Sequence, residues 1–142
     1  MSAEVLALIK PDAVRLEVWL EIIRIYEGHG FSVKQTKLMS PMPRPLAEEF
    51  YTEHRGRDFY PRLIDFMTSG QTIALRLVGI EDMELDGMID RIRVLNGATD
   101  PRQAATGTIR RYFGLGLPNN AVHGSADSAA ASRELALIFG NC

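Results

Sequence analysis

The stretch NNAVHGSADSAAASREL carries one histidine, His123, between a run rich in Gly, Asn and Pro and an Ala-rich segment of helical composition. A neutral imidazole with one free ring nitrogen is a nucleophile. A carboxylate on the other nitrogen fixes the tautomer and stabilises the imidazolium that forms on attack. Glu134, eleven residues further on, is the candidate for that carboxylate, and Ser125 can approach the same ring. Lys10 ends the apolar run of ALIKPDAV, a position where strand ends meet ligands. Thr99, Arg110 and Arg111 share one irregular segment with His123. Arginine offers planar, bidentate donors suited to phosphate. Taken singly, each group has a plainer alternative: a packed imidazole, a solvated helix carboxylate, a surface lysine, charge on a loop.

The elements that must position these groups follow from periodicity. EVLALI (Glu4–Ile9) is a short apolar run closed by Lys10-Pro11-Asp12, hence a buried strand and a turn, with Asp12 placed to cap the next helix. Leu16, Trp19, Leu20, Ile23 and Tyr26 recur at helical spacing with charges between them, which predicts one amphipathic helix ended by Gly28 or Gly30. Phe31–Met39 and Gln71–Gly79 alternate as strands do. LAEEFYTEH and FYPRLIDFMTSG read as short helices, Glu81–Leu95 as a helix weakened by Gly87, and Ser128–Phe139 as the closing helix. Between the last two lies a long segment of poor periodicity, of a length that compact domains reserve for function. A further strand is expected inside it, at Tyr112–Leu117. Strands and helices interleave as in a ferredoxin-like βαββαβ fold of the α/β (α+β sandwich) class: a four-stranded antiparallel sheet with helices on one face.

Bulk properties narrow the function. The chain has 142 residues, 46% of them hydrophobic and 24% charged, which suits a single globular domain over residues 1–142. A formal net charge of -2 gives no global attraction for nucleic acid or an acidic membrane, so a phosphate site must be a local cluster. The only cysteine, Cys142, has no partner for an internal disulfide. The N-terminal apolar run is too short for a signal peptide and no segment has the length of a membrane span, so a cytoplasmic protein is expected. GxxxxGK[ST] is absent, GLGLPN lacks the third glycine of a dinucleotide fingerprint, and zinc-ligand spacing is missing.

Together, ALIKPDAV, EEFYTEH with FYPRLIDFMTSG, NGATDP, GTIR and NNAVHGSADS…SRE occur in the order and near the spacing of one family. The chain resembles a nucleoside diphosphate kinase from about Val5 to Phe139. The resemblance implies transfer of the γ-phosphate of a nucleoside triphosphate to a nucleoside diphosphate, ping-pong, through a phosphohistidine on His123. It implies that Glu134 holds the other ring nitrogen, with Ser125 beside it, and that Asn120 binds the sugar 3′-hydroxyl. Lys10 matches a ligand of sugar and phosphates, with Tyr51 next to it. Phe59 matches the ring that stacks on the base, with Leu63 beneath, and Thr99, Arg110 and Arg93 match phosphate ligands. Mg²⁺ is implied, held mainly by nucleotide phosphates and water rather than by a protein cage. A homo-oligomer is implied too, built on dimers as such or as a tetramer or hexamer.

The chain departs from the family pattern at four places. Arg111 and Tyr112 replace Gly and Asp, and Thr106 replaces a Pro. Ala126 precedes Asp127 where the family has Asp directly, and Gly79–Asn96 is longer by about half a dozen residues. Two further readings compete: a divergent nucleotide-binding or regulatory protein on the same fold, and a ferredoxin-like interaction domain. A binding module needs no nucleophile, and an interaction domain leaves the polar cluster without a purpose.

Overall fold

A computed structural model describes residues 2–80 and 82–140. The expectations that fall on Glu81 and Cys142 lie outside the described residues. The chain runs β1 (Glu4–Ile9), α1 (Pro11–Arg15), α2 (Trp19–Gly28), β2 (Ser32–Met39), α3 (Arg44–Phe50) and α4 (Tyr60–Met67). It continues through β3 (Thr72–Val78), α5 (Leu85–Asn96), α6 (Ile109–Phe113), β4 (Val122–Gly124) and α7 (Ser128–Phe139). The four strands form one sheet in the order β2-β3-β1-β4, with every neighbouring pair antiparallel. This is the ferredoxin-like order.

The central strand explains why its sequence is a continuous apolar run. Val5, Ala7 and Ile9 join Leu75 and Leu77 against Ile22, Tyr26, Met88, Ile89 and Ile92. Leu6, Leu8 and Ala74 turn the other way, onto Phe50, Ile64, Met67, Leu135 and Ile138. Helices thus cover both faces of the sheet, not one, and β1 belongs to two cores. A side chain buried so completely contributes about 1.5–3 kcal/mol.

Three other expectations are corrected. The single helix after β1 is two, because Glu17 takes a left-handed φ of 60° and resets the phase. Ile22 and Tyr26 are then buried, while Leu16, Trp19 and Leu20 are exposed. Tyr112–Leu117 is not a strand: Tyr112 and Phe113 are the last two residues of α6, and the missing strand is β4, which holds His123 itself. Asp12 does not cap a helix with its side chain; its Oδ2 accepts from the Ala121 N–H at 3.0 Å, across the start of β4.

Candidate active site

His123 pairs with Leu8 of β1, so the two side chains share a sheet face. That face is the one covered by α3 and α7. Phe50 meets the imidazole edge-on, with centroids 5.0 Å apart, and Tyr51 does the same at 6.1 Å. From α7, Glu134 brings its Oε1 to 3.0 Å from His123 Nε2. Ser125 Oγ donates to the same oxygen at 2.9 Å and lies 3.3 Å from both the Leu6 carbonyl and the Leu6 N–H. Glu134 is 1% exposed, so its carboxylate is satisfied by these groups rather than by water. A carboxylate can only accept, so in the neutral imidazole Nε2 carries the ring proton and Nδ1 a lone pair. That is the tautomer a nucleophile needs.

The neighbouring residue must be small. A Cβ on Gly124 would sit 2.9 Å from Asn96 Nδ2 and 3.4 Å from Ile92 Cγ2, because α5 packs on the opposite face of β4. Asp127 caps α7 by accepting from the Ala130 N–H at 2.8 Å, which gives the shifted acidic residue of HGSADS a role.

His123 opens onto a cleft of about 1100 Å³. Lys10, Tyr51, Phe59 and Leu63 line it from the first half of the chain. Arg93, Thr99, Arg110 and Asn120 line it from the second. Ser125 and Glu134 stand behind the imidazole. Arg93, on the last helical turn of α5, reaches the cleft. Arg111 lies outside the lining: it reaches back to the Arg102 carbonyl at 3.5 Å.

Lys10 is buried at the end of β1, and its Nζ donates to Asn120 Oδ1 at 2.7 Å. Asn120 Nδ2 in turn donates to the Thr99 carbonyl at 2.8 Å. Burial, then the charge of Arg110, pushes the Lys10 ammonium down to about 7, against the opposing pull of Asp12. Burial raises the Asp12 carboxyl. Arg110 donates to the Gly97 and Val122 carbonyls, each at 2.8 Å, which anchors its guanidinium between α5 and β4. Among the described residues, Arg110 Nε and the Tyr51 hydroxyl are buried without a partner. Burial drives the Tyr51 phenol far above its usual range, so it stays protonated and available as a donor.

A line of rings leads outward from His123. Tyr51 follows, then His54 at 6.2 Å from Tyr51, then Phe59 at 5.3 Å from His54. Cations gather at the inner end and an aromatic ring, 46% exposed, stands at the mouth. The cleft can therefore hold a molecule with an anionic end against His123 and a flat end on Phe59. Sequence reasoning gave His54, Phe50 and Asp12 no place at the site. The i, i+3 spacing of Tyr51 and His54 carried a signal for the first; nothing local could have found the 109-residue contact of Asp12.

Among the described residues, no group of three or more His, Cys, Asp or Glu could hold a metal ion, and no helix is long and apolar enough to cross a membrane.

Comparison with known proteins assigns the fold and the family. The nucleoside diphosphate kinase family model matches residues 3–142. The nucleoside diphosphate kinase of Rubrobacter xylanophilus is 44% identical over 137 residues, which is 96% of this chain and 98% of that protein. That of Methanocaldococcus jannaschii is 37% identical over 139 residues, 98% of this chain and 94% of that protein. Among solved structures, a halophilic nucleoside diphosphate kinase from Halobacterium salinarum, in complex with CDP, superposes with a TM-score of 0.90 at 34% identity. The match covers 99% of this chain and 90% of that one. The Aquifex aeolicus enzyme gives a TM-score of 0.88 at 32% identity, over 98% and 96% of the two chains. With its ferredoxin-like sheet and a sequence match along nearly its whole length, the chain belongs to the nucleoside diphosphate kinase family, enzymes that transfer phosphate between nucleotides.

Proposed function

We propose that His123 is the phosphoryl carrier of this transfer. Its Nδ1 lone pair attacks the γ-phosphorus of a nucleoside triphosphate, typically ATP, and the bond to the β-phosphate oxygen breaks. The nucleoside diphosphate leaves and the phosphoryl group stays on the ring. Glu134 holds the Nε2 proton as positive charge develops on the imidazole, and Ser125 holds Glu134. A second nucleoside diphosphate then attacks through its terminal phosphate oxygen, the P–N bond breaks, and the ring returns to neutrality.

Lys10, Arg93, Thr99 and Arg110 meet the phosphates, Tyr51 donates beside them, and Asn120 takes the sugar. Phe59 stacks on the base over Leu63. Stacking is indifferent to base identity, since every base has a π-face. Mg²⁺ arrives as part of the substrate, bound to its phosphates and water. The observation that carries this reading is the Ser125–Glu134–His123 chain, which leaves one imidazole nitrogen unprotonated at the cationic end of the cleft.

Incubation with γ-labelled ATP tests it. Acid-labile, base-stable label should appear on the protein and pass to GDP, and His123→Ala should abolish it. Full labelling of that variant, or no label on the unaltered chain, would sink the proposal.

The same reading extends to a homo-oligomer in the cytoplasm, where nucleoside triphosphates are made and spent. A dimer-based assembly is favoured by the outer edge of β2, which pairs with no strand among the described residues, and by exposed Leu16, Trp19 and Leu20. Sedimentation equilibrium decides it: a monomer at micromolar concentration would be the contrary result.

A further inference from the structure

The end of α3 is held by a residue of α7 that phosphoryl transfer itself leaves aside. α3 closes on Ala47-Glu48-Glu49-Phe50, with no basic residue in its last turn and two carboxylates at the negative end of its dipole. Tyr51 follows at a φ of -100°, so no left-handed cap closes the helix. Its last carbonyls need donors from elsewhere. The Tyr60 hydroxyl donates to the Glu48 carbonyl at 3.3 Å. Arg133, 83 residues beyond Phe50, donates from its two terminal nitrogens to the Glu49 and Phe50 carbonyls, each at 3.3 Å. Those two peptide groups flank Phe50 on either side. A peptide unit is planar, so holding the Phe50 carbonyl also fixes the Tyr51 N–H and the direction in which Tyr51 sets out. The same guanidinium stands 3.9 Å from Glu134 Oε2, the oxygen that His123 and Ser125 leave unused.

We propose that Arg133 is a positioning residue for the imidazole: it sets the Phe50 and Tyr51 rings against His123, and with them the direction of the attacking lone pair. This rests on the phosphoryl-carrier reading of His123 and deepens it. The Phe50 ring stands edge-on to the imidazole at 5.0 Å and the Tyr51 ring at 6.1 Å. Glu134 holds one corner of the imidazole by a single hydrogen bond, about which the ring can still swing. The two aromatic edges limit that swing. Consecutive residues of α7 thus act on His123 by two routes, Glu134 directly and Arg133 through the end of α3. A rigid fork of donors suits the second task, because two carbonyls must be held together. A Lys ammonium is a point donor on a flexible stem and cannot fix both peptide planes. A displacement of about 1 Å at a reacting atom costs on the order of a hundredfold in rate. Glu134 remains in place without Arg133, so loosening the rings should slow phosphorylation by less, about tenfold.

Rapid-quench labelling by γ-labelled ATP at saturating nucleotide, together with proton NMR of the histidine rings, tests this in the full chain. Arg133→Ala should phosphorylate about tenfold more slowly, and Arg133→Lys should recover only part of that loss. The carbon-bound ring protons of His123 feel the ring currents of Phe50 and Tyr51, so their resonances should move in both variants. Those of His29, at the end of α2 on the other face of the sheet, should stay where they are. An arginine that only stabilised the fold would lower the melting temperature and leave the His123 resonances and the rate in place. That result would overturn the proposal. So would a rate loss with the His123 resonances unmoved, or a Lys variant that matches the unaltered chain in both readouts. If Arg133→Ala fails to fold, Arg133→Lys decides by the same two readouts. An unaltered chain that takes no label sinks the phosphoryl-carrier reading, while the His123 resonances still decide whether Arg133 sets the ring.

Discussion

Replacing Glu134 by Gln removes one charge and almost no volume. Its carboxylate is 1% exposed and accepts from His123 Nε2 at 3.0 Å and Ser125 Oγ at 2.9 Å. Gln keeps an acceptor for both but cannot balance the cation that forms when Nδ1 bonds to phosphorus. A hydrogen bond to a charged group has a net value of about 1.5–3 kcal/mol against about 0.5–1.5 for the neutral bond that Gln keeps, a difference of about 1–1.5 kcal/mol. If that difference is felt only as the imidazolium develops, it slows phosphorylation by roughly 5- to 13-fold. Glu134→Ala should be slower still and less stable, because it leaves the Ser125 hydroxyl and His123 N–H buried with one acceptor fewer. The assay is rapid-quench phosphorylation by γ-labelled ATP at saturating nucleotide, with circular dichroism to confirm folding. ATP affinity should change little, since Glu134 stands behind the ring and outside the cleft lining. A Gln variant that phosphorylates within twofold of the unaltered rate would refute the idea that this carboxylate stabilises the cationic ring.

Lys10, Asp12 and Gly124 each carry further outcomes. Lys10 titrates near 7 because of its burial and Arg110, so GDP affinity should fall several-fold as pH rises from about 6.5 to 8.5, and Lys10→Met should lose that dependence. The sign for stability is opposite: the unfolded chain binds the proton that the folded one releases, so the Lys10 contribution rises with pH between about 7 and the ordinary 10.5, as denaturant midpoints would register. Asp12→Ala strands the buried Ala121 N–H and should cost about 1–3 kcal/mol in urea unfolding; a midpoint shift below about 0.2 M would contradict the brace. Gly124→Ala drives a methyl to 2.9 Å from Asn96 Nδ2 and should lower both melting temperature and phosphorylation rate, whereas unchanged values would show that β4 shifts freely.

Much of this molecule was legible in its residues. Glu4–Ile9 and Ser128–Phe139 were bounded correctly because a continuous apolar run and an Ala-rich helix each carry their own ends. Lys10, Tyr51, Phe59, Leu63, Thr99, Arg110, Asn120 and His123 could be singled out because they fall in ordered motifs, and all of them line the cleft. What failed had physical causes. The phase of α2 was misread because Glu17 breaks the helix in a conformation that spacing does not announce, so the apolar pattern spans two pieces. β4 was missed because three residues cannot show alternation; it is a strand only because β1 is there to pair with it. The two-faced core was implicit in the absence of polar residues among Val5–Ile9, yet it takes helices from both halves of the chain to realise it.

β1 pairs along both edges and is buried on both faces. Such a strand has no cheap local opening: exposing its amides means dissolving both cores at once. β4 differs, being a three-residue edge strand that among the described residues pairs with β1 alone. Lys10, and Asp12 with its bond to the Ala121 amide, are thus tied to the strand that should melt last, while His123, the proposed nucleophile, hangs on the strand with the fewest ladder bonds. In hydrogen exchange, the amides of β1 should report the global unfolding free energy, and those around His123 a smaller one. The two halves of the site then have different lifetimes, and the one that carries His123 is the one able to yield.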